Sequence, residues 1–506
     1  MKILTCEQTR IIEKNQVERG SSYFQLMTNA GVCVGKNLIS QLGATQNHRV
    51  AVLCGKGNNG GDGFITAHYL KTQGMEVYAL LIDGEPRTED SIRAMEQAHT
   101  NGVRIFRIWE QEQRVKDIIV SADYVIDAVY GIGFKGALND RMAAIADLVN
   151  NTRSKVLCVD IPSGVNCDSG AVVNTAFKGD ITVSFSTLKP CHILYPSVDY
   201  CGKTVVAQVG INKGVIYDSP FMTETISGSK LGQLMPKKNI SANKGSVGTL
   251  SCIGGSYGMA GAAMMCINGA LRSGAGMVKG IIPQEIYPML ATAIPQSVFF
   301  PYEDSNIYEV LKAALEKTNA VVVGCGMGNT QRTMDITRYV LDNSNVPVIL
   351  DADALNVLAS DIQMLENVRI PVIVTPHPGE LARLLNISID TVQQNRIMIC
   401  AEFAKKYNVI TVLKGAYTVV ASTNGKVLIN PTGNKGMAKA GSGDVLAGII
   451  GSFVAQGMSP DSAVISGVYC HGYAGDLAEK QFGHISMLAT DIIDCLPECI
   501  KTIYTL

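Results

Sequence analysis

A chain of 506 residues is longer than one hydrophobic core usually serves, so two domains, or three, are expected. With 47% apolar residues and a formal charge of −1, the composition describes a globular protein and argues against an extended basic face for nucleic acid. The first residues lack the apolar run of a signal peptide, and the longest small-residue segment, 258–277, is broken by Asn268 and Arg272. Fourteen scattered cysteines without a CxxC pair complete the picture of a cytoplasmic protein with reduced thiols and no membrane span.

Taken in chain order, two helices come first, the earlier starting at Thr5 with Gln8 as its capping-box partner. Strands are then predicted over 49–54, 77–82, 124–128, 156–160, 181–185 and 204–209, alternating with helical patterns. The rhythm lapses between 211 and 238, where Gly, Pro, Ser and Thr collect, and a domain boundary near residue 220 divides the chain into 1–220 and 221–506. Strands resume over 249–253, 277–282, 320–323, 346–350, 371–375, 409–414, 417–421 and 426–429. Alternation of this kind is the signature of parallel α/β architecture in both halves.

Two glycine-and-aspartate segments stand where a strand or loop runs into a helix: Gly57-Asn58-Asn59-Gly60-Gly61-Asp62-Gly63 and Ala440-Gly441-Ser442-Gly443-Asp444. Unpaired amides at such junctions can hold an anion, and a carboxylate beside them can take a proton or hold a cation. Residues 55–60 formally match GxGxxG, and Asp83 follows the next strand as in a dinucleotide-dehydrogenase fingerprint. The two asparagines and Asp62 argue otherwise, since a dehydrogenase wants bare backbone against the pyrophosphate. Two more loops end strands with an acid, Asp127-Ala128-Val129-Tyr130-Gly131-Ile132-Gly133-Phe134-Lys135-Gly136 and Asp160-Ile161-Pro162-Ser163-Gly164. In a parallel sheet all three loops converge on one edge, where they gather an oxygen ligand set suited to a hard cation.

In this order and spacing, these segments and Lys178–Phe185 resemble the epimerase domain of the NAD(P)HX repair enzymes, a Rossmann-like three-layer fold. The resemblance implies that the hydrated dinucleotide is bound by Asn58, Asn59, Gly60, Gly61 and Asp62, by Gly131, Ile132, Gly133, Phe134, Lys135, Gly136 and Ala137, and by Asp160. It implies K+ held by Asn59, Asp127 and Ser163, and it makes Asp62 and Asp160 the catalytic carboxylates. Which groups move the proton stays open. Lys56 replaces a proline common in the family, a change expected to affect loop stiffness more than chemistry.

In the second half, Gly443 lets the backbone turn its amides toward a phosphoryl group, and Asp444 at the helix start can accept a proton from an attacking hydroxyl. Together with Asn243-Lys244-Gly245, Gly254-Gly255-Ser256, Gly324–Gly328, Asp351–Asn356, Thr375–Glu380 and Lys414–Thr418, this loop is similar to the nucleotide-dependent NAD(P)HX dehydratases, of ribokinase-like fold. The resemblance implies substrate contacts at Ala262, Gly326, Gly328, His377 and Asp444, and nucleotide contacts at Lys414, Gly415, Ala416, Tyr417, Thr418 and Gly443. Asp444 becomes the catalytic base, NADHX and NADPHX the substrates, ADP with Mg2+ the co-substrate, and a homo-oligomer the assembly. Two residues depart from the family pattern: Cys325 replaces a proline, and Lys439 puts a cation beside the anion hole, where it would add phosphate affinity. A vitamin or sugar kinase, a non-catalytic binding module in the first half and a dehydrogenase remain alternatives.

Overall fold

The computed structural model describes residues 1–237, 241, 243, 245 and 247–505. Lys244, in the expected Asn243-Lys244-Gly245 segment, lies outside them. The chain divides into two units, Met1–Phe221 and Met222–Leu506.

The first unit is built on seven parallel strands: β1 (Arg49–Cys54), β2 (Glu76–Leu81), β3 (Arg104–Arg107), β4 (Tyr124–Ala128), β5 (Lys155–Val159), β6 (Ile181–Phe185) and β7 (Lys203–Ala207). Their order is β3-β2-β1-β4-β5-β6-β7, which places a topological switch point between β1 and β4. Strands covered on both faces must be apolar throughout, and β1, β4 and β5 read as near-continuous buried runs. One face packs on Val34, Leu38, Phe64 and Leu70, the other on Ile119, Ile145 and Val149, giving three layers. The helix Cys6–Glu18 begins with the expected capping box of Thr5 and Gln8. The helix Asn58–Thr72 approaches β1 so closely that a side chain at Gly60 would fall inside the Gly55 carbonyl, and a Cβ at Gly63 would lie 2.7 Å from the Ala128 methyl. Here glycine is required by packing.

The second unit carries a ten-stranded sheet in the order β11-β10-β9-β12-β13-β14-β15-β16-β17-β8. Its strands are β8 (Thr223–Thr225), β9 (Thr249–Ile253), β10 (Met277–Pro283), β11 (Val298–Tyr302), β12 (Ala320–Val323), β13 (Val348–Leu350), β14 (Val372–Val374), β15 (Ile410–Leu413), β16 (Val419–Ala421) and β17 (Val427–Ile429). Pairing is parallel from β11 to β15, turns antiparallel through β16 and β17, and is parallel again from β17 to β8. Three strands escape the sequence patterns, and all are edge strands: β3 is flanked by arginines, β11 contains Pro301, and β8 sits in the stretch read as a linker. The switch point lies between β9 and β12, so the loops after these strands meet at Gly254 and Cys325, and the Gly255 amide donates to the Cys325 carbonyl at 2.8 Å. Among the described residues no helix is long and apolar enough to cross a membrane.

Candidate active sites

In the first unit the strand ends enclose a cavity of about 820 Å³. Of the expected dinucleotide segment, Asn58, Asn59, Asp62, Gly131, Ile132, Gly133, Phe134, Lys135 and Asp160 line it. Gly60 and Gly61 are instead buried in helix packing, and Gly136 and Ala137 are exposed away from the lining. No side chain caps the start of the helix Asn58–Thr72, which leaves its first amides facing the cavity end of the helix. Tyr130 and Phe134 stack on the glycine loop with centroids 5.0 Å apart.

Asp127 and Ser163 meet beneath this loop. Ser163 Oγ donates to Asp127 Oδ1 at 2.6 Å and the Ser163 amide to Oδ2 at 2.7 Å, while the Tyr130 amide donates to Ser163 Oγ at 2.8 Å. Burial pushes the Asp127 carboxyl up to about 6 against these hydrogen bonds. Asn59 lies under Gly131, whose Cβ would sit 3.2 Å from Asn59 Oδ1, and Asn59 Nδ2 is buried without a hydrogen-bond partner. The oxygens gathered here are those of the Asp127 carboxylate, Ser163 Oγ and Asn59 Oδ1, the ligand type that hard cations take, whereas the unpartnered Asn59 Nδ2 is a donor that calls for an acceptor.

Asp160 follows β5 in the left-handed region, at φ 61°. Its Oδ1 accepts from Lys189 Nζ and from the Phe185 amide, the latter at 3.1 Å. The Lys189 side chain is wholly buried and also donates to Ser184 Oγ at 3.1 Å. His192 braces the turn. Its Nδ1 accepts from the Lys189 amide at 3.0 Å, so Nε2 carries the proton and donates to the Asp160 carbonyl at 2.8 Å. Burial and the Lys189 ammonium lower this imidazole to about 4 and keep it neutral. Two more acids face the pair. Burial, then the Asp160 charge, raises Glu13 to about 7 and Asp62 well above the carboxylate range. Sequence reasoning found Asp62 and Asp160 but missed Glu13, Lys189 and His192. Lys189 was within reach, because it lies four residues beyond β6 on the same ligand edge.

In the second unit Asp444 stands in the first turn of the helix Ser442–Ala455, entered through Gly441 at φ 90° with no side-chain cap. Burial, then the Asp351 carboxylate, raises Asp444 to about 7. Asp351 follows β13, and its Oδ1 accepts from Lys414 Nζ at 2.6 Å and Thr375 Oγ1 at 2.7 Å. Glu380 lies 3.8 Å from the same ammonium and is raised by burial to about 7. Burial would lower Lys414, yet the two carboxylates outweigh it and hold the ammonium above its ordinary value. Lys414 Nζ is 3.3 Å from the Cβ position of Gly443, so the ammonium reaches the glycine loop. Gly415, Ala416, Tyr417 and Thr418 form the turn between β15 and β16, closed by Thr418 Oγ1 donating to the Gly415 carbonyl at 2.9 Å. Ala262 and Gly326 come together, the Cβ position of Gly326 lying 2.7 Å from the Ala262 methyl. The Gly328 amide donates to Asp353 Oδ2 at 2.7 Å.

A family model described as NAD(P)H-hydrate dehydratase matches residues 250–498, and one described as YjeF-related protein N-terminus matches 24–191. The bifunctional NAD(P)H-hydrate repair enzyme of Moorella thermoacetica is 34% identical over 493 residues, covering 94% of this chain and 92% of its own length. This chain belongs to the bifunctional NAD(P)H-hydrate repair enzymes. The Escherichia coli member is 32% identical over 95% of this chain and 90% of its own. Among solved structures, the ADP/ATP-dependent NAD(P)H-hydrate dehydratase of Bacillus subtilis, co-crystallised with ATP/Mg2+, aligns with TM-score 0.51 and 29% identity over 56% of this chain and all of its own. A ribokinase-like superfamily protein of Enterococcus faecalis aligns with TM-score 0.51 and 26% identity over 56% of this chain and 97% of its own. The second unit therefore has the ribokinase-like fold.

Against this family background three residues take places that the sequence did not foretell. His377 is the N-cap of the helix Pro378–Leu385, its Nδ1 accepting from the Gly379 amide at 3.0 Å, and its side chain is 50% exposed. The Lys56 ammonium is tied to Asp83 at 3.2 Å, so the acid of the apparent dehydrogenase fingerprint has a lysine partner. Lys439 donates to the Ile485 carbonyl at 2.7 Å and is turned toward the end of a neighbouring helix. Lys439→Ala is accordingly expected to leave the nucleotide KM and its salt dependence within about twofold of the parent, an exposed charge contributing little. Steady-state kinetics at two ionic strengths check this.

Proposed function

We propose that the first unit interconverts the two C6 epimers of hydrated NADH and NADPH, and that the second dehydrates one of them with ADP. Water added across the 5,6 double bond of the nicotinamide yields both epimers, so a stereospecific dehydratase needs an epimerase to recruit the other. The observation that carries the reading is Asp444, a carboxylate raised to about 7 at an uncapped helix start beside Lys414. It suits a base that takes the proton of the 6-hydroxyl as that oxygen attacks the terminal phosphorus of ADP. The P–O bond to the leaving AMP breaks. The ring nitrogen then expels phosphate from C6, and loss of a C5 proton restores the dihydropyridine. The Gly443 amide and the Lys414 ammonium would face the transferring group, and Mg2+ brought with the nucleotide would supply further positive charge there.

For the first unit, Glu13, Asp62 and Asp160 share one ammonium, Lys189, and burial keeps part of the set protonated near neutral pH. Such a set can protonate the 6-hydroxyl so that it leaves C6 as water, pushed out by the ring nitrogen, and can take a proton from that water as it adds back to either face of C6. Asn59, Asp127 and Ser163 would hold K+, which supplies a positive charge beneath the glycine loop. ADP is the expected nucleotide, and cytoplasmic residence and a homo-oligomer complete the reading.

Mixed hydrated NADH epimers supplied with ADP, Mg2+ and K+ test both halves. Complete return of dihydronicotinamide absorbance is expected. A plateau at the reactive epimer's share would mean an inert first unit, and no return with either ADP or ATP would sink the central assignment.

A further inference from the structure

Asp444 has two close neighbours that could share a metal ion with it. Cys325, Asp351 and Asp444 each offer a ligand atom, and the three atoms lie within 4.8 Å of one another. They come from separate segments: the loop after β12, the end of β13 and the start of the helix Ser442–Ala455. Cys325 Sγ is 4.0 Å from Asp351 Oδ2, whereas Lys414 and Thr375 both engage Oδ1. The thiol of Cys266, on the helix Ala260–Arg272, is a further buried sulfur near this group. Cys252 Sγ follows at 3.8 Å from Cys266 Sγ. All three thiols are buried.

Two carboxylates and a thiol converging in one place make an electron-rich pocket. A tetrahedral ion bound at about 2.3 Å by sulfur and about 2.1 Å by oxygen spaces its ligands roughly 3.5 Å apart. Separations up to 4.8 Å close to that span by small rotations of Cys325 and Asp444. Sulfur in the set selects zinc-class ions over Mg2+. The Lys414 ammonium need not leave, because it holds the other oxygen of Asp351.

We propose that Cys325, Asp351 and Asp444 form a binding site for a thiophilic divalent cation of the zinc class, with solvent as its remaining ligand, whose occupation silences the second unit by engaging Asp444. Each thiol that ligates loses its proton to solvent as the metal–sulfur bond forms, with no redox change. The silencing rests on the reading of Asp444 as base; the binding does not.

The reduced full-length protein is titrated with Cd2+, read by thiolate-to-metal absorbance, and with Zn2+ against a chromophoric chelator. The first equivalent of Cd2+ should produce the thiolate band. Cys325→Ser should remove most of it and weaken Zn2+ binding by about tenfold or more. Zn2+ should inhibit dehydration by the parent at about tenfold lower concentration than by Cys325→Pro, with epimerisation unaffected. A thiolate band and a Zn2+ affinity that are unchanged in Cys325→Ser would overturn the site. Should that variant not fold, Cys325→Ala serves the same comparison. Equal Zn2+ inhibition of the parent and Cys325→Pro would overturn the switch. An Asp444→Asn protein that still dehydrates, while Cys325-dependent binding persists, would remove the base assignment and leave the metal site standing.

Discussion

Asp444→Asn is expected to lower the dehydration rate by about 100- to 10,000-fold, the usual worth of a positioned general base, while epimerisation proceeds as before. Nucleotide KM should move little, because the amides of the glycine loop and Lys414 are untouched. The pH profile carries a second signature. A base works in its deprotonated form, and Asp444 is raised to about 7 by burial and then by the Asp351 carboxylate. The dehydration rate should therefore climb with pH up to about 7 and then level. Asp351→Asn removes a negative neighbour and leaves Lys414 without its main partner, and both changes favour the ionised form of Asp444. The rising limb should shift to lower pH even though the maximal rate falls. A general loss of folding would scale the profile without moving it, so kcat against pH in the two variants separates the cases.

The second large effect belongs to the first unit. Lys189→Met should abolish epimerisation, so that mixed epimers are consumed only to the reactive share while the pure reactive epimer is repaired normally. Stability should fall as well. Lys189 is the wholly buried member of its pair with Asp160, and removing one partner strands the other as an uncompensated charge, at about 3–5 kcal/mol. Asp160→Asn combined with Lys189→Met discharges both members and should recover most of the lost melting temperature without recovering epimerisation. Recovery of activity in the double variant would rule out a direct part for the pair.

The contrast between Asp160 and Lys189 explains how far the sequence could be read. Asp62, Asp127, Asp160 and Asp444 are visible because each sits at a strand or helix end, where local pattern alone points a side chain at the ligand edge. Asp351 follows β13 in the same way, yet along the sequence it stands out only within the family-like segment 351–356. Glu13, Lys189 and His192 are partners by tertiary approach: Glu13 reaches the acids from the opening helix, beside the buried Thr9, Ile12 and Gln16. Nothing in its neighbours along the chain marks it. Strand prediction failed on the same principle. Interior strands such as β1, β4, β6, β9 and β12 match their predicted limits because burial on two faces forces continuous apolar runs. The edge strands β3, β8 and β11 owe their extended form to one neighbour, and tolerate arginine, threonine and proline accordingly.

One of those edges bears on how the dehydratase half can be made by itself. Residues 223–225 pair in parallel with Val427–Ile429, and the Ile226 amide donates to the Ile429 carbonyl at 2.8 Å, so this short strand seals one flank of the ten-stranded sheet. A fragment cut at residue 250, where the dehydratase family match begins, discards the seal and bares the ladder of β17. Unpaired strand edges invite pairing between copies. Such a fragment should sediment as concentration-dependent aggregates, and one beginning at Met222 should not.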